Sequence, residues 1–384
     1  MTTTSEPRLS TGAWREGDPV GDRRFVSVGA VELEAGGRLP EVTVAYETWG
    51  RLNEARDNAI LVEHALTGDS HVSGPAGPGH ATPGWWDGLI GPGCPFDTET
   101  HFVAAANVLG GCQGTTGPSS TAPDGRAWGS RFPFVTIRDQ VRVEALLSDL
   151  LGIDRWSAVL GGSMGGMRAL EWAVTHPDRV ATAIILASTA YATAEQIAWC
   201  QPQLLAIRSD PEFHGGDYYE HGAGPQTGLG IARRIAHVTY RSELELHDRF
   251  GRLQQGSEQP LGGGGRYAVE SYLDHHAGKI AGRFDANSYL VLTEAMNSHD
   301  IGRDRGGVAA ALRRVAGRLV VVGVDSDRLY PMRLSDEIAS AAPRAESFTV
   351  TSPYGHDGFL IETEQVGSIL QQVVGRRAEA GEIR

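Results

Sequence analysis

Residues Trp156 to Thr175, WSAVLGGSMGGMRALEWAVT, decide the fold. The apolar run Trp156 to Leu160 predicts a strand and Met167 to Thr175 a helix, with Gly161-Gly162-Ser163-Met164-Gly165 as the tight turn between them. A serine at such a turn is held at strained backbone angles with its hydroxyl clear of the main chain. Glycine two positions to either side lets strand and helix approach. Ser163 is therefore the candidate nucleophile. With 50 glycines in 384 residues the pattern G-x-S-x-G also arises by chance, so its surroundings must decide.

Outward from the turn, the chain repeats a strand-helix rhythm. Arg24 to Leu33 and Pro40 to Thr48, joined through Ala35-Gly36-Gly37, read as an opening hairpin. Asn58 to His64, His101 to Val108 and Val180 to Ala187 are short apolar runs of the kind buried on both faces of a parallel sheet. Ile137 to Leu151 sets Val141, Val143, Leu146, Leu147 and Leu150 on one helical stripe and stops at Gly152. Strands alternating with helices imply a parallel, doubly wound α/β sheet. The rhythm lapses over residues 189–317, where helices are expected at Ala194 to Ile207, Thr227 to Val238 and Asn287 to Met296, and a flexible loop at Gly262 to Gly265. It resumes with strand Arg318 to Val324, helix Met332 to Ala341, strand Glu346 to Thr351 and helix Gln365 to Arg377, before a tail, Ala378 to Arg384, expected to fray. The lapse reads as a helical lid, residues 189–317, inserted into a core of residues 1–188 and 318–384.

Composition narrows the function classes. A net charge of −13 without any basic run argues against nucleic-acid or anionic-membrane surfaces, which require clustered Lys and Arg. Cys94, Cys112 and Cys200 are widely spaced, form no C-x-x-C pair and offer no metal-finger spacing, which fits a reducing cytoplasm; no ligand cluster calls for a metal. Met1 to Asp22 is polar rather than an apolar signal core, and no stretch is long and apolar enough to span a membrane.

A serine hydroxyl needs a base within hydrogen-bond reach and a third group to orient that base. In doubly wound sheets of this kind the order is Ser, acid, His, at the carboxyl ends of strands. Strand Arg318 to Val324 runs into Asp325-Ser326-Asp327, and strand Glu346 to Thr351 into Tyr354-Gly355-His356-Asp357. His356 is the candidate general acid/base and Asp327 its carboxylate, with Asp325 as the alternative that spacing alone leaves open. For the oxyanion, one donor is the N–H of Met164, and the other that of Leu66, or Thr67 next to it, in the loop Ala65 to Asp69.

Over nearly its full length the chain resembles the homoserine O-acyltransferases. The matching segments are VAYETWGRLN (44–53), HALTGDSHV (64–72), ANVLGGCQGTTGPSS (106–120), GGSMGGMRALEWA (161–173), ARRIAHVTYRS (232–242), VESYLDHHAGKIAGRFDANSYL (269–290), SDRLYP (326–331) and YGHDGFL (354–360). The resemblance implies an α/β-hydrolase fold and, in the methionine pathway, ping-pong transfer of an acetyl group from acetyl-CoA through Ser163 to the γ-hydroxyl of L-homoserine. It carries the substrate carboxylate onto Arg233, with Tyr240 and Thr67 nearby, and the ammonium onto Asp357. It implies no bound cofactor and a homodimer joined through the lid. Succinyl-CoA as donor, serine as acceptor, or simple ester hydrolysis on the same scaffold stand as alternatives, because the residues alone do not fix the acyl pocket's shape. His237, His299 and Asp300 read as structural. The glycine tract 262–265 and His275-His276 depart from the family pattern within the lid.

Overall fold

Strands β1 (Arg24–Glu32) and β2 (Arg38–Trp49) pair antiparallel around the turn at Gly36 and Gly37, as their alternation predicts. The structure, a computed structural model, describes residues 10–380, with side chains as far as Val374. Six further strands complete the sheet: β3 (Ala59–Glu63), β4 (Phe102–Ala106), β5 (Ala158–Gly162), β6 (Thr182–Leu186), β7 (Arg318–Val324) and β8 (Ala345–Val350). Their spatial order is β1-β2-β4-β3-β5-β6-β7-β8, parallel throughout from β4 to β8, with β2 antiparallel to both of its neighbours. Every residue of β3, β5 and β6 is buried, which is why these segments are apolar without alternation.

One face of the sheet is covered by α1 (Ile137–Leu150), α2 (Met164–Thr175) and, from later in the chain, the helices of residues 308–312 and 332–341; Trp156, Leu170, Trp172 and Ile338 share that core. The other face packs against Val366, Leu370 and Val373 of the C-terminal helix, and against Trp86, Leu89, Ile90 and Phe96. Those four come from a long irregular passage between β3 and β4, whose only regular structure is a small parallel ribbon of Ile90–Gly91 with Phe96–Asp97. These apolar side chains cover that part of the sheet without a helix.

Between β6 and β7 the chain is helical: α3 (Ala194–Arg208), α4 (Gln226–Tyr240), α5 (Glu243–Phe250), α6 (Ala268–Ala281), α7 (Ala286–Asn297) and α8 (Val308–Leu312). Pattern reading finds α3, α4 and α7 but passes over the others. In α6 Val269, Tyr272, Leu273, Ala277 and Ile280 form an apolar stripe that pattern reading overlooked, of which only Ala277 and Ile280 are buried; in the short α5 only Glu245 is buried. Leu204, Ile207, Leu229 and Tyr289 of this segment pack on Leu66, Met164, Met167 and Tyr330, residues that follow the carboxyl ends of β3, β5 and β7. After β7 come α9 (Met332–Ala341), α10 (Gly358–Ile361) and α11 (Thr363–Ala380).

Several boundaries differ from expectation. Strand β5 is displaced toward the serine, because Ala158 to Gly161 pair with Ile60 to Glu63 while Trp156 only bridges Val180. Helix α2 starts directly after Ser163, three residues before the apolar pattern. Leu150, in the last turn of α1, is 56% exposed, so the buried stripe ends at Leu147. Of the tail expected to fray, Ala378 to Ala380 continue α11; residues 381–384 lie outside the described residues, as do residues 1–9 of the polar N-terminal stretch.

Candidate active site

Ser163 sits between β5 and α2 at φ 57°, ψ −123°, a left-handed conformation that costs an L-residue about 1–3 kcal/mol. The turn is fixed from both sides: Ser163 N–H donates to the Leu186 carbonyl (3.0 Å), and its own carbonyl accepts from Ser188 Oγ (2.7 Å) and Met167 N–H (3.1 Å). A side chain at Gly165 would collide with the Glu63 carbonyl, and one at Gly162 with the Phe359 ring. Both positions require glycine because α2 lies close over the end of β3 and Phe359 lies against the turn.

His356, only 3% exposed, directs Nδ1 at Asp327 Oδ2, 2.6 Å away. The second Asp327 oxygen accepts the N–H groups of Leu329 and Tyr330, each at 2.8 Å, so the carboxylate cannot turn. Asp325 instead accepts from Ser352 N–H at 3.0 Å. Two aspartates at the end of one strand are thus separated by direction, which their spacing could not reveal. Burial disfavours a charged imidazole at His356, but the adjacent charge and hydrogen bond of Asp327, with the charge of Asp357, outweigh it and raise the pKa above the ordinary histidine value. The Nδ1–H tautomer leaves Nε2 as the basic nitrogen. Tyr330 connects this pair to the elbow: its ring stacks on His356 (centroids 4.9 Å apart), and Tyr330 and Ser163 line one cavity. Sequence reading quoted Tyr330 within a motif but gave it no role. Its position three residues after Asp327, in the same turn, was the available signal.

Ser163 opens onto a cavity of about 40 Å³ lined by Leu66, Met167, Gln196, Trp199, Cys200, Gln203, Tyr240, Asn297 and Tyr330, among others. No Lys, Arg or His lines it. Burial pushes the Cys200 thiol up to about 12, so it is neutral there. The two expected oxyanion donors flank the serine. Met164 is the first residue of α2, so its N–H has no intrahelical acceptor. Leu66 lines the cavity, and among the described residues its N–H carries no hydrogen bond. The side chain of Thr67, the alternative, is taken up by Arg233, whose Nη1 donates to Thr67 Oγ1 at 3.3 Å.

The residues carried over from the family pattern also converge. The Arg233 guanidinium lies 5.7 Å from the centre of the Tyr240 ring, and that ring is 5.9 Å from His356. Burial pushes the Tyr240 phenol up to about 12. Asp357 pairs with Arg241 at 3.2 Å, a partner that sequence reading missed; burial raises the Asp357 pKa against the lowering charges of His356, Arg241 and Arg233. Arg241 is also held by Glu245 at 2.8 Å. The charges of Arg233 and Asp357 both bear on the Tyr240 phenol. His237 is stacked on His276 (3.9 Å) and driven down to about 2, first by burial and then by Arg233; His299 meets the Thr189 carbonyl at 3.2 Å.

One cluster was invisible to spacing. Asp22, Glu47, His71 and His80 each place a potential metal-ligating atom within 4.8 Å of the others. Some of these atoms are hydrogen-bonded within the cluster, while among the described residues His80 Nδ1 is buried without a hydrogen-bond partner. Glu47 accepts from Ser70 Oγ (2.6 Å) and His71 Nδ1 (2.9 Å), His80 Nε2 accepts from Asp22 N–H (2.9 Å), and the two imidazoles stack at 3.7 Å. This network ties the irregular β3–β4 passage to β2. Among the described residues no helix is long and apolar enough to cross a membrane, and all three cysteines are free.

Comparison with known proteins agrees with this geometry. The α/β hydrolase fold family matches residues 58–363. A homoserine O-acetyltransferase of Thermobifida fusca is 62% identical over 97% of this chain and 99% of its own. Among solved structures, a homoserine O-acetyltransferase from Bacillus anthracis superposes with a TM-score of 0.85 at 27% identity, covering 92% of this chain and 97% of that one. Esterase E22 superposes with a TM-score of 0.84, also at 27% identity, covering 92% and 99%. With identity that high across almost the whole length, the chain belongs to the homoserine O-acetyltransferase family within the α/β hydrolase fold.

Proposed function

We propose that this protein transfers the acetyl group of acetyl-CoA to the γ-hydroxyl of L-homoserine by a ping-pong mechanism. Ser163 Oγ attacks the thioester carbonyl while His356 Nε2 takes its proton. The tetrahedral oxyanion is held by the N–H groups of Leu66 and Met164, and collapse breaks the C–S bond as His356 returns the proton to the leaving thiolate. The acceptor then enters with its carboxylate on Arg233 and its ammonium on Asp357, beside Tyr240 and Thr67. His356 deprotonates the γ-hydroxyl, the hydroxyl oxygen attacks the acetyl carbon, and collapse restores the Ser163 hydroxyl.

The small, uncharged cavity at Ser163 carries this reading. Its volume is about 40 Å³, and no cationic side chain lines it. A succinyl group would bring two more methylenes and a carboxylate, and a carboxylate buried without a cation is strongly disfavoured. The helical segment 189–317 acts as a lid that keeps water from the acetyl-enzyme, so an alcohol bound at Arg233 and Asp357 competes by proximity. Exposed Ile197, Leu205 and Ile231 on α3 and α4 support a homodimer through that lid, and three free cysteines support a cytoplasmic location. Thiol release from acetyl-CoA and succinyl-CoA, with and without L-homoserine, tests the assignment. Release that needs L-homoserine and prefers acetyl-CoA is expected; acceptor-independent release would make the protein a hydrolase.

A further inference from the structure

Below the elbow lies an ionic cluster that the mechanism above does not use. Arg168, five residues after Ser163 on α2, is wholly buried. Its Nη1 meets Glu63 Oε2 and Glu144 Oε1, each at 2.7 Å, and its Nη2 donates to the His64 carbonyl at 2.6 Å. Glu63 ends β3, Glu144 lies on α1, and the His64 carbonyl opens the turn that carries Leu66. One guanidinium therefore ties three elements together.

The turn itself leaves little freedom beyond that contact. The Ala65 carbonyl accepts from Gly68 N–H (2.9 Å) and from His64 Nδ1 (2.8 Å), while His64 Nε2 accepts from Val108 N–H (3.1 Å). This fixes His64 as the neutral Nδ1–H tautomer, in keeping with a pKa driven down to about 3 by burial and by the charge of Arg168. Glu144 is further held by Trp172 Nε1 at 2.9 Å. Burial pushes the Glu63 carboxyl well above the carboxylate range, against the lowering charge of Arg168 and with the charge of Glu144. The His64 and Ala65 carbonyls ahead of Leu66 are engaged, whereas among the described residues the Leu66 N–H has no hydrogen bond and Leu66 lines the cavity.

We infer that Arg168 is a positioning residue for the oxyanion hole, locking the His64–Leu66 turn to the elbow helix so that the Leu66 and Met164 N–H groups keep one spacing. The inference rests on the acyl-transfer reading above. A buried arginine that hydrogen-bonds Glu144 and the His64 carbonyl and pairs with Glu63 presents a fixed fork of donors, whereas a lysine ammonium is a point charge on a flexible stem. Oxyanion stabilisation depends on donors fixed before charge develops, so slack in this turn weakens transition-state binding while leaving ground-state binding intact.

The test compares Arg168→Met and Arg168→Lys with the parent enzyme in three measurements: acetyl-enzyme formation from acetyl-CoA by rapid quench, affinity for CoA, and affinity for trifluoroacetonyl-CoA, whose ketone adds to serine and creates the oxyanion. Arg168→Met is expected to slow acylation about 10- to 100-fold and to weaken trifluoroacetonyl-CoA by the same factor, with CoA affinity kept within about twofold. Arg168→Lys should fall between. Parent-like acylation in either folded variant overturns the inference, as does a parallel loss of CoA and trifluoroacetonyl-CoA affinity. Failure of both variants to fold assigns Arg168 to structure alone. Absence of an acetyl-enzyme in the parent would instead remove the acyl-transfer reading.

Discussion

Strain at Ser163 and charge at His356 set what single residues do here. Because Ser163 is at φ 57°, Ser163→Gly relieves the backbone while Ser163→Ala keeps the strain. Both variants lose acetyl-enzyme formation, and the glycine variant should be about 1 kcal/mol more stable than the alanine one in denaturant titration. His356 must be unprotonated to accept the serine proton, and its pKa lies above the ordinary 6.5, so kcat/KM for acetyl-CoA should rise with pH through an apparent pKa above that value. Asp327→Asn removes the main raising influence and leaves burial opposed only by the charge of Asp357. The limb then moves to lower pH and kcat falls about 10⁴-fold, as a pH-rate profile would record. Ser163, His356 and the pair of aspartates were legible because chain order and strand ends constrain them. The choice of Asp327 was not, since Asp325 and Asp327 share one strand end and only the path of the loop beyond β8 directs His356 at one of them.

At the scale of elements, the elbow works because β3, β5 and α2 converge with glycines at the contact. Gly165→Ala would drive a methyl into the Glu63 carbonyl, so the variant should accumulate poorly or show both a lower melting temperature and impaired acylation, measured by calorimetry and rapid quench. Strand positions were readable to within two or three residues because strands buried on both faces must be apolar throughout. Helices α5 and α6 were not read: α5 spans only eight residues, and the stripe of α6, Val269 to Ile280, is broken by Asp274, His275 and His276. The glycine-rich passage between β3 and β4 carries neither period, and burial of Trp86 with the Glu47–His71–His80 network holds it as an irregular chain.

On the scale of the whole molecule, the helical segment is fastened by a buried carboxylate. Asp285, fully buried, accepts from Thr11 Oγ1 (2.7 Å), Tyr218 OH (2.7 Å), Tyr219 OH (2.9 Å) and Ser288 N–H (2.9 Å), joining the N-terminal stretch to α7. Asp285→Asn weakens several of these at once and should cost about 3 kcal/mol of stability by chemical denaturation, without moving the acid limb of the pH-rate profile. By itself the sequence determined the α/β sheet, the strand-helix turn at Ser163, the order of the reacting groups and the position of the helical segment, because period, turn chemistry and chain order are local properties. Only the tertiary structure decided which aspartate meets His356, how small and uncharged the cavity at Ser163 is, and that Arg168 locks the Leu66 turn from below. Those depend on the direction and separation of side chains far apart in the chain, and packing alone fixes them.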